Sequence, residues 1–181
     1  MDYKILWTDM HSNIHHEQMN ELPQWFDQVQ KMMDFWPIAY YPYTMRKDET
    51  GLGVEDRYPL DVIEKDWEAL REFTEKVNAA GFPMFMGYEW QGAGQDNVFC
   101  KDNRQKMEYP LRYADLVKAY AGKDVIGIPH HLAYQLENRG KNWATHNETF
   151  SPFVEIYSSH GSSENDNGPI EMTRHVHMGP R

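Results

Sequence analysis

The stretch PMFMGYEW, residues 83–90, decides the fold class of this sequence. It is short, apolar and aromatic, which is typical of a strand buried in a sheet. A helical pattern precedes it over residues 61–80, where Asp61 can cap the helix and Gly81 can end it. One apolar stripe runs along this helix at Ile63, Trp67, Leu70, Phe73 or Thr74, and Val77. A long amphipathic helix followed directly by a buried strand indicates an α/β fold.

The same alternation of strand and helix extends in both directions along the chain. Further strands are predicted at residues 3–7, 34–43, 97–100, 125–128 and 153–157, and further helices at 22–33, 113–121 and 170–177. We expect parallel strands joined by helical crossovers, in a single α/β domain over residues 1–181. Because a closed β/α barrel usually needs about 200 to 250 residues, the sheet is either open or a barrel that lacks its last part.

Composition and charge limit the classes of partner. Hydrophobic residues make up 40% of the chain, as in a packed globular protein. Lys and Arg total 18 against 28 Asp and Glu, and the formal charge of −10 argues against nucleic acid or an anionic membrane as the main partner. We expect a small-molecule substrate. The sequence pattern shows no signal peptide and no membrane-spanning run, and Cys100 is the single cysteine, so a cytoplasmic location is expected.

Histidines and carboxylates gather where the predicted strands end. In parallel α/β folds the C-terminal ends of the strands open onto one face, where catalytic groups collect. Imidazole nitrogen and carboxylate oxygen suit zinc, manganese or iron, and a carboxylate can bridge two such ions. The residues concerned are Asp9 and His11 after the first strand, Glu89 on the third, His130 and His131 after the fifth, and Glu155 and His160 on or after the sixth.

Each of these residues also has a structural interpretation. Glu89 lies in an apolar and aromatic segment, where a lone carboxylate is costly to bury, so it either binds a cation or has a hydrogen-bonded partner. Asp9 can instead cap a turn, and His160 lies in a Ser/Gly loop. His15 and His16 start the next helix, where at least one of them is expected to be solvated.

Two basic residues, Arg139 and Lys141, follow the His130-His131 pair in a polar loop. They could receive an anionic group of a substrate, or the loop could simply be solvated. Other chemistries have weaker support, because the chain has neither a Walker-type phosphate loop nor a Gly-x-Ser-x-Gly elbow. Cys100 is expected to be a core or strand thiol rather than a nucleophile, since no helix start is predicted beside it.

Taken in order, several of these segments resemble the PHP (polymerase and histidinol phosphatase) superfamily, in particular its branch of uncharacterised PHP-like metallohydrolases. Asp9-Met10-His11 is similar to the opening Asp-x-His-x-His motif, and Gly87-Tyr88-Glu89-Trp90 to a Gly-x-Glu-Trp segment whose glutamate bridges metals. Ile128-Pro129-His130 resembles the later histidine strand, and residues 154–156 with 160–164 the strand after it. The resemblance covers most of the chain.

This resemblance implies a distorted seven-stranded β/α barrel, two or three divalent metals and hydrolysis, typically of phosphate esters. Carried over to this chain, it makes His11, Glu89 and His130 the expected ligands. The pattern also departs from the family: Asn13 replaces the second histidine of the opening motif, Tyr40 and Tyr41 stand where an Asp-His pair is usual, and the late Asp-x-His motif does not occur. On this reading the chain lacks the C-terminal part of the barrel.

Two functional hypotheses follow. The first is a metal-dependent hydrolase with zinc, manganese or iron at His11, Glu89 and His130, with Asp9 and His15 as further candidate ligands. His131 or His160 would transfer protons, and Arg139 and Lys141 would bind the substrate. The second is a degenerate, non-catalytic barrel that binds a small ligand or partner. The substituted ligand positions motivate this alternative.

Overall fold

The computed structural model describes residues 3–47, 49–50, 53–132, 134, 140–158 and 161–164. The chain divides into two compact units, Met1–Tyr88 and Glu89–Arg181. The boundary falls within one strand, β5. The expectation of a single domain over residues 1–181 stays a prediction.

The first unit consists of strands and two helices. Strand β1 is Ser12–His15, and a short 3-10 helix, His16–Glu21, leads into α1, Leu22–Met32, with a proline in its first turn. Strand β2, Trp36–Tyr41, is buried along its whole length. An antiparallel hairpin of β3, Tyr43–Lys47, and β4, Gly53–Arg57, follows, and helix α2 spans Leu60–Ala79.

Helix α2 forms where the apolar stripe predicts it. Its buried side chains include Ile63, Trp67, Leu70 and Val77. After α2, Gly81 adopts a φ of +94°, which lets the chain turn into β5, Met84–Gly92. The helix predicted over residues 61–80 and the strand predicted over residues 83–90 are therefore confirmed, with bounds that differ by one or two residues.

The second unit continues β5 into β6, Gly94–Cys100, and then through α3, Tyr113–Ala119, to β7, Val125–Pro129. Residues 143–145 form a short 3-10 helix, and β8, Tyr157–Ser158, pairs with β9, Gly161–Ser162. Gly127 of β7 has no room for a side chain, because an added Cβ would lie 2.4 Å from the Phe150 ring.

The main sheet has five strands in the order β1-β2-β5-β6-β7. β1 and β5 each pair in parallel with β2, at Ser12 with Ile38 and Trp36 with Met84, whereas β6 and β7 are antiparallel. The predicted α/β class with parallel strands is therefore confirmed. Over the residues described, the sheet is open and mixed, and it does not close into a barrel.

Two strand predictions were wrong, and one pair of strands was not predicted. Residues 3–7 form no strand, and Tyr3 and Trp7 are 86% and 68% exposed, because the position beside β2 is taken by residues 12–15. The charged stretch after residue 43, for which no element was predicted, forms the β3-β4 hairpin. Of the strand expected at 153–157, only Tyr157 is in a strand. The helix expected at 170–177 lies outside the described residues.

Among the described helices, none combines the length and the apolarity that crossing a membrane requires.

Candidate metal centre

Glu89 is a buried carboxylate on β5. Its residue is 5% exposed, and two amide side chains, Gln91 and Gln95, donate to its Oε1 at 3.2 and 3.4 Å. The strand places it there because the apolar residues on either side of it fix β5 in the sheet. Burying a carboxylate is costly without such partners, and the two glutamines offset part of that cost.

His130 lies at the end of β7, next to Glu89. It is 1% exposed, and its Nε2 lies 3.5 Å from Oε1 of Glu89. The antiparallel pairing of β6 with β7 holds it in place, since its backbone N–H donates to the carbonyl of Gln95 at 3.2 Å. An imidazole and a carboxylate at this separation can form a hydrogen-bonded pair or share a cation.

His11, the third expected ligand, lies in the first unit, just before β1, and is partly buried. Glu89 and His130 lie in the second unit, where the structure brings them together. Carboxylate and imidazole groups are a donor set that zinc, manganese and iron accept.

Asp9 and His15, the two further candidate ligands, have other contacts. The exposed Asp9 accepts a hydrogen bond from the backbone N–H of His11 at 2.8 Å. This bond closes a turn that positions His11. The ring of His15 lies 4.6 Å from that of Tyr41, centroid to centroid.

His131 has an unusual backbone conformation. Its φ is +56°, a left-handed value that is uncommon among non-glycine residues, although Asn, Asp and His adopt it more often than the others do, and its ring stacks on Tyr134 at 4.5 Å. Such outliers concentrate at functional sites. The conformation sets the His131 ring edge-on to His130, with 4.6 Å between their centroids. His160, the other candidate for proton transfer, lies outside the described residues, as does Arg139.

Lys141 is buried rather than solvated. The residue is 4% exposed, and its Nζ lies 3.6 Å from the centroid of the Tyr113 ring. Burial lowers the pKa of the ammonium group, and the nearby carboxylate of Asp96 opposes that shift. The solvated-loop alternative therefore does not hold for Lys141.

Sequence reasoning did not assign a role to Asp96, which follows the β5-β6 turn. Its side chain is 1% exposed, and burial raises its carboxyl pKa to about 6 against the opposing effects of Lys141, His130 and Ser151. The signal available in the sequence was the pair Gly92 and Gly94. Two glycines so close together mark a tight turn, which returns the chain beside the strand it has just left.

No protein-family model matches this chain, and neither the curated proteins nor the solved structures include a significant match to it.

Proposed function

We propose that this protein is a metal-dependent hydrolase of small, phosphorylated esters, with a divalent cation held by His11, Glu89 and His130. The observation that carries the proposal is the buried Glu89–His130 pair, with 3.5 Å between Oε1 of Glu89 and Nε2 of His130. The resemblance of the motifs around these residues to the PHP superfamily supports the same chemistry. The PHP-type barrel belongs to the proposal as well.

The donor set fits the cation. Glu89 offers a carboxylate oxygen, and the imidazole nitrogens of the two histidines complete a mixed N/O set for zinc, manganese or iron. A divalent cation in such a site supplies Lewis-acid polarisation of a phosphoryl oxygen and activates water at neutral pH.

The chain's own residues have distinct roles in this proposal. Gln91 and Gln95 orient the Glu89 carboxylate by hydrogen bonds, as outer partners of metal ligands do. The Asp9 turn orients His11 through its backbone. His131, held against Tyr134, transfers a proton to or from the substrate.

The first experiment measures metal content and turnover together. We expect the purified protein to contain zinc, manganese or iron by elemental analysis, and to hydrolyse members of a panel of phosphate monoesters and diesters. Glu89→Gln keeps the size of the side chain but removes its charge. Losing a residue that only hydrogen-bonds to a metal ligand lowers metal affinity roughly 10- to 100-fold. Because Glu89 is itself a proposed ligand, we expect a larger loss of metal affinity in Glu89→Gln.

Glu148→Gln is the matched control, because Glu148 is an exposed glutamate that is not one of the three proposed ligands. It should keep both metal content and turnover. Metal-free protein whose activity does not rise when manganese or zinc is added would reject the proposal and favour the non-catalytic alternative.

A further inference from the structure

A small pocket in the second unit contains two charged side chains that the proposed reaction does not use. Asp96 and Lys141 both line it, together with Tyr113, Asn142 and the turn at Gly94. The cavity is about 10 Å³, roughly the room that one water molecule or one hydroxyl group needs.

The Asp96 carboxylate is incompletely hydrogen-bonded. Ser151 donates to it, but no donor among the described residues reaches its Oδ1, although the side chain is buried. A buried carboxylate oxygen without a protein donor is uncommon, and an ordered water or a hydroxyl group of a ligand can supply the missing donor.

Lys141 presents the opposite charge to the same pocket. Its ammonium group lies over the Tyr113 ring, and the carboxylate of Asp96 interacts with it electrostatically. A ligand atom in the pocket meets hydrogen-bond donors from Lys141 and an acceptor from Asp96. A purely anionic group is repelled by Asp96, and a purely cationic group by Lys141. A hydroxyl group can accept from the ammonium and donate to the carboxylate at once.

We propose that this pocket binds one hydroxyl group of a polyhydroxylated ligand, a sugar or a polyol. The identity of the substrate that follows from this pocket, a phosphate ester of a sugar or polyol, rests on the proposed function. The pocket adjoins the metal centre, because Asp96 pairs with Pro129 and the preceding residue, Gln95, binds the backbone of His130. Binding of the hydroxyl group itself requires no hydrolysis.

The test uses non-ester probes and metal-free, full-length protein, so that it is independent of turnover. Erythritol and D-ribose are titrated against the protein by ligand-observed NMR, beside 1,2-dimethoxyethane, an ether that accepts hydrogen bonds but cannot donate them. We expect the two polyols to bind and the ether not to bind.

Two variants test the two charges separately. Asp96→Asn and Lys141→Met should each weaken polyol binding about tenfold or more, because each leaves a buried hydrogen-bonding group of the complex unsatisfied. Lys123→Met is the matched control: Lys123 also lies over a tyrosine ring, that of Tyr120, but outside the pocket, and this variant should bind as wild type does. Thermal melts check that each variant folds. If one of the two does not fold, the other is sufficient for the test.

The outcomes separate the two proposals. If polyols bind neither the wild type nor the variants, the pocket holds a structural water and the inference is overturned. Equal binding by the ether, or unchanged binding in both variants, overturns it as well. Polyol binding that depends on Asp96 and Lys141 supports it even where no ester is hydrolysed, in which case only the proposed function fails.

Discussion

The thiol of Cys100 shows how strongly burial acts on a single group. The residue lies on β6, is almost fully buried, and burial raises its pKa from an ordinary value of 9.0 to about 12. The folded protein thus holds the thiol proton to a higher pH than the unfolded chain does. The contribution of this proton to the free energy of unfolding is therefore fully present below about pH 9 and is lost as the pH rises towards 12.

We therefore predict that the wild type loses stability relative to Cys100→Ala when the pH rises from 8 to 10. The expected loss is about 1.4 kcal/mol, one pKa unit of linkage. Urea unfolding of both proteins at the two pH values measures it, and groups that titrate in both proteins cancel in the difference. A constant gap between the two proteins would show that the thiol titrates normally in the fold.

Glu89 shows what could be predicted for a single residue of the site. The apolar sequence around it requires either a cation or a hydrogen-bonded partner, and the structure supplies amide partners from Gln91 and Gln95 as well as a nearby imidazole. Asp96 could not be assigned in the same way. Its surroundings depend on the β6–β7 pairing and on Lys141, more than 40 residues along the chain.

At the scale of elements, Asn78 joins helix α2 to strand β5. Its side chain donates to the carbonyl of Met84 at 3.0 Å and accepts from the N–H of the same residue at 2.8 Å. These two bonds span the turn at Gly81, whose positive φ no other residue adopts without strain. The connection fixes where β5 begins, and therefore where Glu89 lies along the strand.

Replacing Asn78 with Ala should lower the free energy of unfolding by about 1 to 2 kcal/mol, since two hydrogen bonds at a partly exposed position are lost. Denaturant unfolding measures this change. Glu75→Ala, at an exposed position on the same helix, is the control and should change stability by less than about 0.5 kcal/mol. An equal effect of the two substitutions would mean that helix propensity, and not the link to β5, stabilises this turn.

Elements with strong local patterns could be predicted, and those that depend on distant partners could not. Helix α2 carries its apolar stripe within its own sequence, and β7 is a continuous apolar run. Strand β1 has one buried residue, Ile14, and becomes a strand through its pairing with β2. The more apolar residues 3–7 have the stronger local pattern but lack that pairing. The β3-β4 hairpin likewise depends on its cross-strand register.

At the scale of the whole molecule, the proposed ligands come from positions 11, 89 and 130 of the chain. Unfolding separates such residues, so a cation that all three hold binds the folded state far better than the unfolded state. Binding is then linked to global stability by mass action. The order of the motifs along the sequence suggested the grouping, but the 3.5 Å between Glu89 and His130 depends on strand pairing such as that of β6 with β7, which no local pattern encodes.

Metal removal is therefore expected to destabilise the entire fold. Protein stripped with EDTA should regain about 2.7 kcal/mol when manganese is added at 100 times its Kd, and the melting temperature should rise on the order of 5 to 10 °C. Differential scanning calorimetry with and without manganese measures the shift. Glu89→Gln should show little of it, whereas Glu148→Gln should match the wild type, because only Glu89 belongs to the proposed donor set. A shift of equal size in all three proteins would mean that manganese stabilises the acidic chain as a whole and that these three residues are not its ligands.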